Sequence, residues 1–487
     1  MCGALGKSVP AGRRHQHSGT SALPSLTGAH PDSTLSRGCA IPAGMSKTFA
    51  WIVYALTLGF FGCFLFWPIA TTLQGAFIDA DSRFTFAFVA EVFRNPIYLE
   101  GLRNAFLLAV ASTAATLLLA VPFAFLADRY EFPGKKLLTG LLLVPMILPP
   151  FVGAIGIRQM FGQYGAVNAL LTQLGLLAEN QTIDWLGAGR FGGVVALNAL
   201  HLYPILFLNV TAALANVDPA MEEAAENLGC TGVRKFRRIT LPLIMPGLFA
   251  GGTIVFIFAF TELGVPLMFD YSRVTSVQIF YGVKEIAGNP FPFALVVVMM
   301  VSTMLLYAVS RVVFGRASHA MVAKATIAGG ARPLSRGRAL LCSLAFAGLT
   351  LLALLPHLGV VLTSFATDWY RSVLPETWTL DHYAAALGHP LAVPSIVNSL
   401  KYASVSMMID LLLGVAIAYV VVRTSLPGRA LLDTIAMLPL AVPGLVLAFG
   451  YVSMTQDGKP FAFLNPARDP TLLLIIAYAV RRIPYVV

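Results

Sequence analysis

Charged residues are scarce in this chain. Asp, Glu, Lys and Arg make up 11% of its 487 residues, whereas a water-soluble domain carries about a quarter. Most of the surface therefore cannot face water. Cysteine is sparse as well: Cys2, Cys39, Cys63, Cys230 and Cys342 are scattered, with no CxxC and no nearby histidine. A disulfide framework or a zinc site is excluded as the organising device. No Ser-His-Asp, Cys-His or paired-carboxylate arrangement stands out, so an enzyme is not expected. The N-terminal MCGALGKS resembles a phosphate loop, but it has two residues where four are needed between Gly3 and Gly6-Lys7-Ser8. No strand precedes it, and no other nucleotide motif is present.

What is abundant is apolar sequence, 57% of the chain. Apolar runs of 18 or more residues recur, long enough to cross about 30 Å of hydrocarbon at about 1.5 Å per residue. The alternating ten-residue segments of a membrane barrel are missing. The fold class is therefore an all-α, polytopic bundle of transmembrane helices. Spans are expected near 48–72, 103–127, 137–159, 191–214, 244–266, 293–314, 338–364, 398–422, 431–454 and 471–487. Residues 1–45 are rich in Gly, Ser, Pro, His and Arg without an apolar face, and are expected to be a disordered extension. Met45 precedes a basic residue and a span, and is read as the working start.

Net charge is +10, and the basic residues fall between spans. Arg129, Lys135 and Lys136 follow the second span; Arg234, Lys235, Arg237 and Arg238 follow the fourth; further clusters follow the sixth and eighth. By the positive-inside rule these loops and the N-terminus are cytoplasmic.

The chain also repeats itself. Asn104 corresponds to Asn398, Arg129 to Arg423, Pro133-Gly134 to Pro427-Gly428, Pro145 to Pro439 and Pro149 to Pro443, at a constant shift of 294. Pro204 corresponds to Pro484 at a shift of 280. Polar and Pro/Gly punctuation in register indicates two homologous halves in the same orientation, residues 46–325 and 326–487. Shifting Glu222 by 280 puts a copy of the segment it begins near position 502, so 487 residues are expected to be a fragment with about ten of twelve spans.

That segment, EEAAENLGCTGVRKFRRITLP from Glu222 to Pro242, carries seven charged residues between two long apolar runs. Asp218 can cap a helix, Pro219 suits its first turn, Glu222 and Glu223 suit its positive end, and Gly229 suits its stop. Ala224, Ala225 and Leu228 are expected to form an apolar patch, and a basic, partly apolar stretch follows. Two readings fit these residues: an interfacial helix on anionic lipid headgroups, or a docking helix whose small Ala face seats a partner.

The pattern Glu223-Ala224-Ala225, three residues, Gly229, nine residues, Ile239, one residue, Leu241-Pro242 resembles the EAA signature of permeases of binding-protein-dependent ABC importers. The two-half arrangement is similar to the fused ferric-iron and thiamine type, with about six spans per half. The resemblance implies an inner-membrane permease whose coupling helix sits in a cleft of a separate ATPase dimer. It assigns that coupling to Glu222, Glu223, Ala224, Ala225, Gly229, Ile239, Leu241 and Pro242. ATP is then used by the partner and no cofactor is bound by this chain; a periplasmic or lipid-anchored binding protein delivers the solute. Ferric iron is the first expectation, with thiamine, polyamine or phosphonate as alternatives.

Glu262 and Asp410 lie within or near spans, where a carboxylate is a functional candidate by default. Glu262, Pro149 and Pro443 are expected to border the translocation pathway. Against this, Glu262 could serve a helix break, Asp410 an interhelical contact, and the prolines a loop entry. His201 is expected to be a packed, hydrogen-bonded histidine. An ion-coupled secondary transporter using Glu262 or Asp410 is the rival function.

Overall fold

The computed structural model describes residues 47–487 except 187–189, 287, 315–331 and 425–426. The proposed N-terminal extension thus lies outside the described residues. Among those described, seven helices are long and apolar enough to cross a membrane: Thr48–Phe77, Pro96–Arg129, Phe191–Ala215, Gly232–Met268, Phe291–Val309, Arg336–Phe365 and Ala392–Arg423. Two further pairs, Lys135–Ile147 with Pro150–Gln173 and Arg429–Ala441 with Gly444–Met454, pass the same test together. Helices dominate because hydrocarbon offers no partner for a backbone N–H or C=O, so each span must satisfy its own.

The two pairs correspond to the expected third and ninth spans, and neither runs straight. They bend by 96° and 98°. Pro149 (φ −64°, ψ 126°) and Pro443 (φ −57°, ψ 138°) stand at the bends outside helical conformation; having no N–H, they cannot donate to a carbonyl of the preceding helical turn. The same register brings Gly134 and Gly428 to the start of the two segments, both left-handed (φ 73° and 85°). The expected tenth span is a helix of 12 residues, Thr471–Arg482, followed by a short 3-10 turn at Ile483–Tyr485.

Small residues set the packing. The second span buries Gly101, Ala105, Ala109, Ser112, Thr116, Ala120, Ala124 and Ala127 along one stripe and packs chiefly on the fourth. Spacing of three and four puts these on one face, and small side chains let membrane helices approach closely. Spans from the two expected halves also pack on each other. The seventh span lies on the third, where a side chain at Gly156 would strike the Pro356 carbonyl. The first span lies on the ninth, where a Cβ at Gly450 would sit 2.7 Å from the Pro68 carbonyl. Gly156 and Gly450 are themselves 294 residues apart. The eighth span exposes Met407, Met408, Leu411, Leu412 and Val415.

Candidate functional site

The charged segment forms a helix, Pro219–Asn227, directly after the fourth span. Asp218 caps it, its side chain accepting from the Ala220 amide at 2.9 Å. At the other end Gly229 is left-handed (φ 76°). Its N–H donates to the Glu226 carbonyl, and that of Cys230 donates to the Ala225 carbonyl, both at 2.9 Å. This double closure satisfies the last carbonyls of the helix. Both ends follow from the sequence as expected.

After the Gly229 turn the basic stretch begins a second helical element, continuous with the next span. Residues from Gly232 run on as one helix to Thr261, with a π turn at Phe236–Thr240. Pro242 and Pro246 lie in its early turns, so the loop is joined to the fifth span without a hinge.

The apolar patch needs correction. Ala225 is buried (7% exposed) and faces the body of the protein. Ala224 is exposed, and with Met221 (50% exposed) and Leu228 (87%) it forms the outward apolar stripe. The spacing of three and then four residues makes these one face, while Ala225 lies about 100° further round. Glu223 is exposed beside the stripe; Ile239 and Leu241 are half-buried and Pro242 exposed.

Glu222 is the anchor. It is 6% exposed. Its Oε1 accepts from Arg129 Nη2 at 2.8 Å and from Thr240 Oγ1 at 2.7 Å, and its Oε2 lies 3.6 Å from Lys235 Nζ. Lys235 also donates to Glu226 Oε1 at 2.7 Å, and Arg332 lies 3.6 Å from Glu226 Oε2. The bond and charge of Lys235 hold the Glu226 carboxyl below its usual range. Arg332 is brought close by a two-residue parallel pairing of Tyr130–Glu131 with Arg332–Pro333. The ionic group therefore ties the short helix to the ends of the second and fifth spans. Buried charges are tolerated when paired and hydrogen-bonded, and here each bond crosses between elements. Arg129, Lys235, Thr240 and Arg332 were not legible as site residues. The one sequence signal was the retention of Arg129 with Arg423 in the repeat.

The proposed pathway residues occupy the breaks. Glu262 ends the long fifth helix in extended conformation. Its carboxylate accepts from the amides of Gly264 (2.9 Å) and Val265 (3.3 Å), capping the short helix Gly264–Met268. A Cβ at Gly264 would lie between Glu262 Oε1 and Phe151 Cβ, so Glu262 borders the third-span break beside Pro149. Pro443 stands at the other break. Asp410 is buried, and its Oδ1 has no hydrogen-bond partner among the described residues. His201 is hydrogen-bonded as expected, through Nδ1 to the Pro145 carbonyl at 2.9 Å. Among the described residues no three His, Cys, Asp or Glu side chains gather into a metal-binding group.

Residues 120–319 match the model of the family described as binding-protein-dependent transport system inner membrane component. The chain is 27% identical over 443 residues to the ferric transport system permease protein FbpB of Actinobacillus pleuropneumoniae, covering 86% of this chain and 60% of that protein. It thus spans less than two thirds of that relative's length. It is 31% identical over 226 residues to a probable molybdenum ABC transporter permease of Haloferax volcanii, covering 46% of this chain and 78% of the relative. To the molybdenum permease ModB of Haemophilus influenzae it is 34% identical, covering 33% and 67%. The chain belongs to the family of binding-protein-dependent transport system inner-membrane components, a family of transport permeases.

Proposed function

We propose that this chain is the permease of an ATP-driven importer that moves a small solute into the cytoplasm, and that its Pro219–Asn227 helix couples it to a separate ATPase dimer. The observation that carries this is the two-sidedness of that helix. Glu222 and Ala225 lock its inner face to the spans, while Met221, Ala224 and Leu228 present an exposed apolar stripe that none of the described residues covers. A helix resting on lipid needs only the outer stripe. A lever needs the inner lock as well, because motion of a docked helix reaches the spans only through stiff contacts. ATP is used by the partner, and no cofactor is bound by this chain. The N-terminus and basic loops are cytoplasmic, and a binding protein delivers the solute on the opposite side.

Ferric iron is the solute best supported, by the ferric permease relatives that cover most of this chain. Relatives named for molybdenum and sulfate keep oxyanions as alternatives, beside thiamine, polyamine and phosphonate. The rival reading, an ion-coupled transporter, draws on the unpartnered Asp410 oxygen. The test is Glu223→Lys or Gly229→Asp in the transporter assembled in its own membrane. Uptake and ATPase co-purification should fall while the permease stays in the membrane; uptake that persists without the ATPase would favour the rival.

A further inference from the structure

The two broken spans leave carbonyls without helical partners inside the bundle. A helical carbonyl bonds the N–H four residues on, and four residues after Pro145 stands Pro149, which has none. The Pro145 oxygen is therefore orphaned by the sequence itself. At the second break the helix stops at Ala441, and Val442 turns extended (φ −95°, ψ 124°) ahead of Pro443. An unpaired carbonyl in hydrocarbon is costly, so both breaks need an outside donor.

Each receives one, from corresponding places. His201 Nδ1 lies 2.9 Å from the Pro145 carbonyl oxygen, and Arg481 Nη1 donates to the Val442 carbonyl at 3.0 Å. His201 and Arg481 differ by 280, the shift that relates Pro204 to Pro484. The same position of the repeat thus serves the same break with two different side chains. A carbonyl can only accept, so His201 carries its proton on Nδ1. Tyr203 adds a second tie in the first half, its hydroxyl donating to the Leu142 carbonyl at 2.7 Å. The Arg481 guanidinium packs beside Gly444, 3.5 Å from where a Cβ there would stand, an ordinary contact distance.

We propose that His201 and Arg481 are positioning residues that latch the two bent spans, and that His201 links the bend to the coupling segment. The link is direct: the helix bearing His201, Phe191–Ala215, ends three residues before Asp218. Displacement of the coupling helix along that span carries the Pro145 carbonyl with it. The coupling part rests on the permease reading above, whereas the latch itself does not.

The latch is tested on the full chain in nanodiscs without any ATPase, in a background with its cysteines replaced by serine. Spin labels at Leu137 and Ile155, exposed on either side of the first break, report its bend by pulsed electron resonance. His201→Leu should broaden the distance distribution and move it to longer values, while His201→Asn, which keeps a donor near Nδ1, should preserve it. A second pair, at Leu431 and Ala448, tests Arg481→Leu against Arg481→Lys in the same way, and decides the matter if His201→Leu does not fold. Unchanged distances in the Leu variants would overturn the latch, as would equal broadening in the Leu and donor-keeping variants, which would make it a matter of packing volume. Because no ATPase is present, failure here leaves the permease reading standing, and failure of ATPase docking leaves the latch standing.

Discussion

The ionic joint at Glu222 can be broken without touching the outward face of the coupling helix. Glu222→Ala removes the acceptor of two short bonds, from Arg129 at 2.8 Å and Thr240 at 2.7 Å, and the 3.6 Å contact to Lys235, which keeps Glu226 at 2.7 Å. Removing one member of a fully buried pair costs about 3–5 kcal/mol. Arg129 is 20% exposed and keeps Asp128 at 3.3 Å, so the lower figure for a bond to a charged group applies, about 2–3 kcal/mol. At about 1.4 kcal/mol per decade, the short helix should open roughly 30- to 100-fold more often. Native-state hydrogen exchange read by mass spectrometry resolves such local opening. Peptides covering residues 219–230 of the full chain in nanodiscs should exchange faster by that factor, with the second and fourth spans unchanged. Glu222→Gln keeps an acceptor but loses the charge, and should fall between, at roughly tenfold by the same scale. If exchange in 219–230 is unaltered by Glu222→Ala, the joint does not hold the helix and the lever argument fails with it.

Two further outcomes follow from the geometry. Gly156→Ala and Gly450→Ala force a methyl against backbone of the crossing span, through Pro356 and Pro68 respectively, and should each cost about 1–3 kcal/mol. Gly59, with nothing within 4 Å of a Cβ, should accept Ala without loss; melting in detergent separates the cases, and equal melting points would refute the crossed packing. The Glu226 carboxyl is held low chiefly by its bond to Lys235. Its stabilisation of the 226–235 contact is therefore fully present above the ordinary carboxylate range and disappears as pH falls through the depressed folded value. Exchange protection there should hold from pH 7 to 5 and decline only in more acid solution; a decline between 7 and 5 would contradict the pairing.

How much of this was legible before the structure depended on the kind of signal. Span-length apolar runs fix helices because hydrocarbon leaves no other choice, so the spans stood close to where they were expected. Local punctuation was equally readable: Asp218 and Gly229 act through their own backbone neighbours. The facing of Ala224 and Ala225 was not, since two adjacent alanines are indistinguishable until the helix is set against something. Nor was the joint at Glu222, whose partner Arg129 is 93 residues away and reads in sequence as one more basic residue after a span. Glu262 looked like an intramembrane charge because hydropathy counts residues; its bonds to the Gly264 and Val265 amides arise from a helix break that the Gly and Pro nearby only hinted at.

Whether another polypeptide grips the outward stripe is asked most directly by a photo-cross-linking amino acid at Ala224, compared with one at Leu228 and one at the exposed eighth-span residue Leu412. In membranes holding the assembled transporter, Ala224 and Leu228 should capture a protein that also labels with an ATP analogue, and Leu412 should not. Capture of lipid alone at both stripe positions would contradict the central claim.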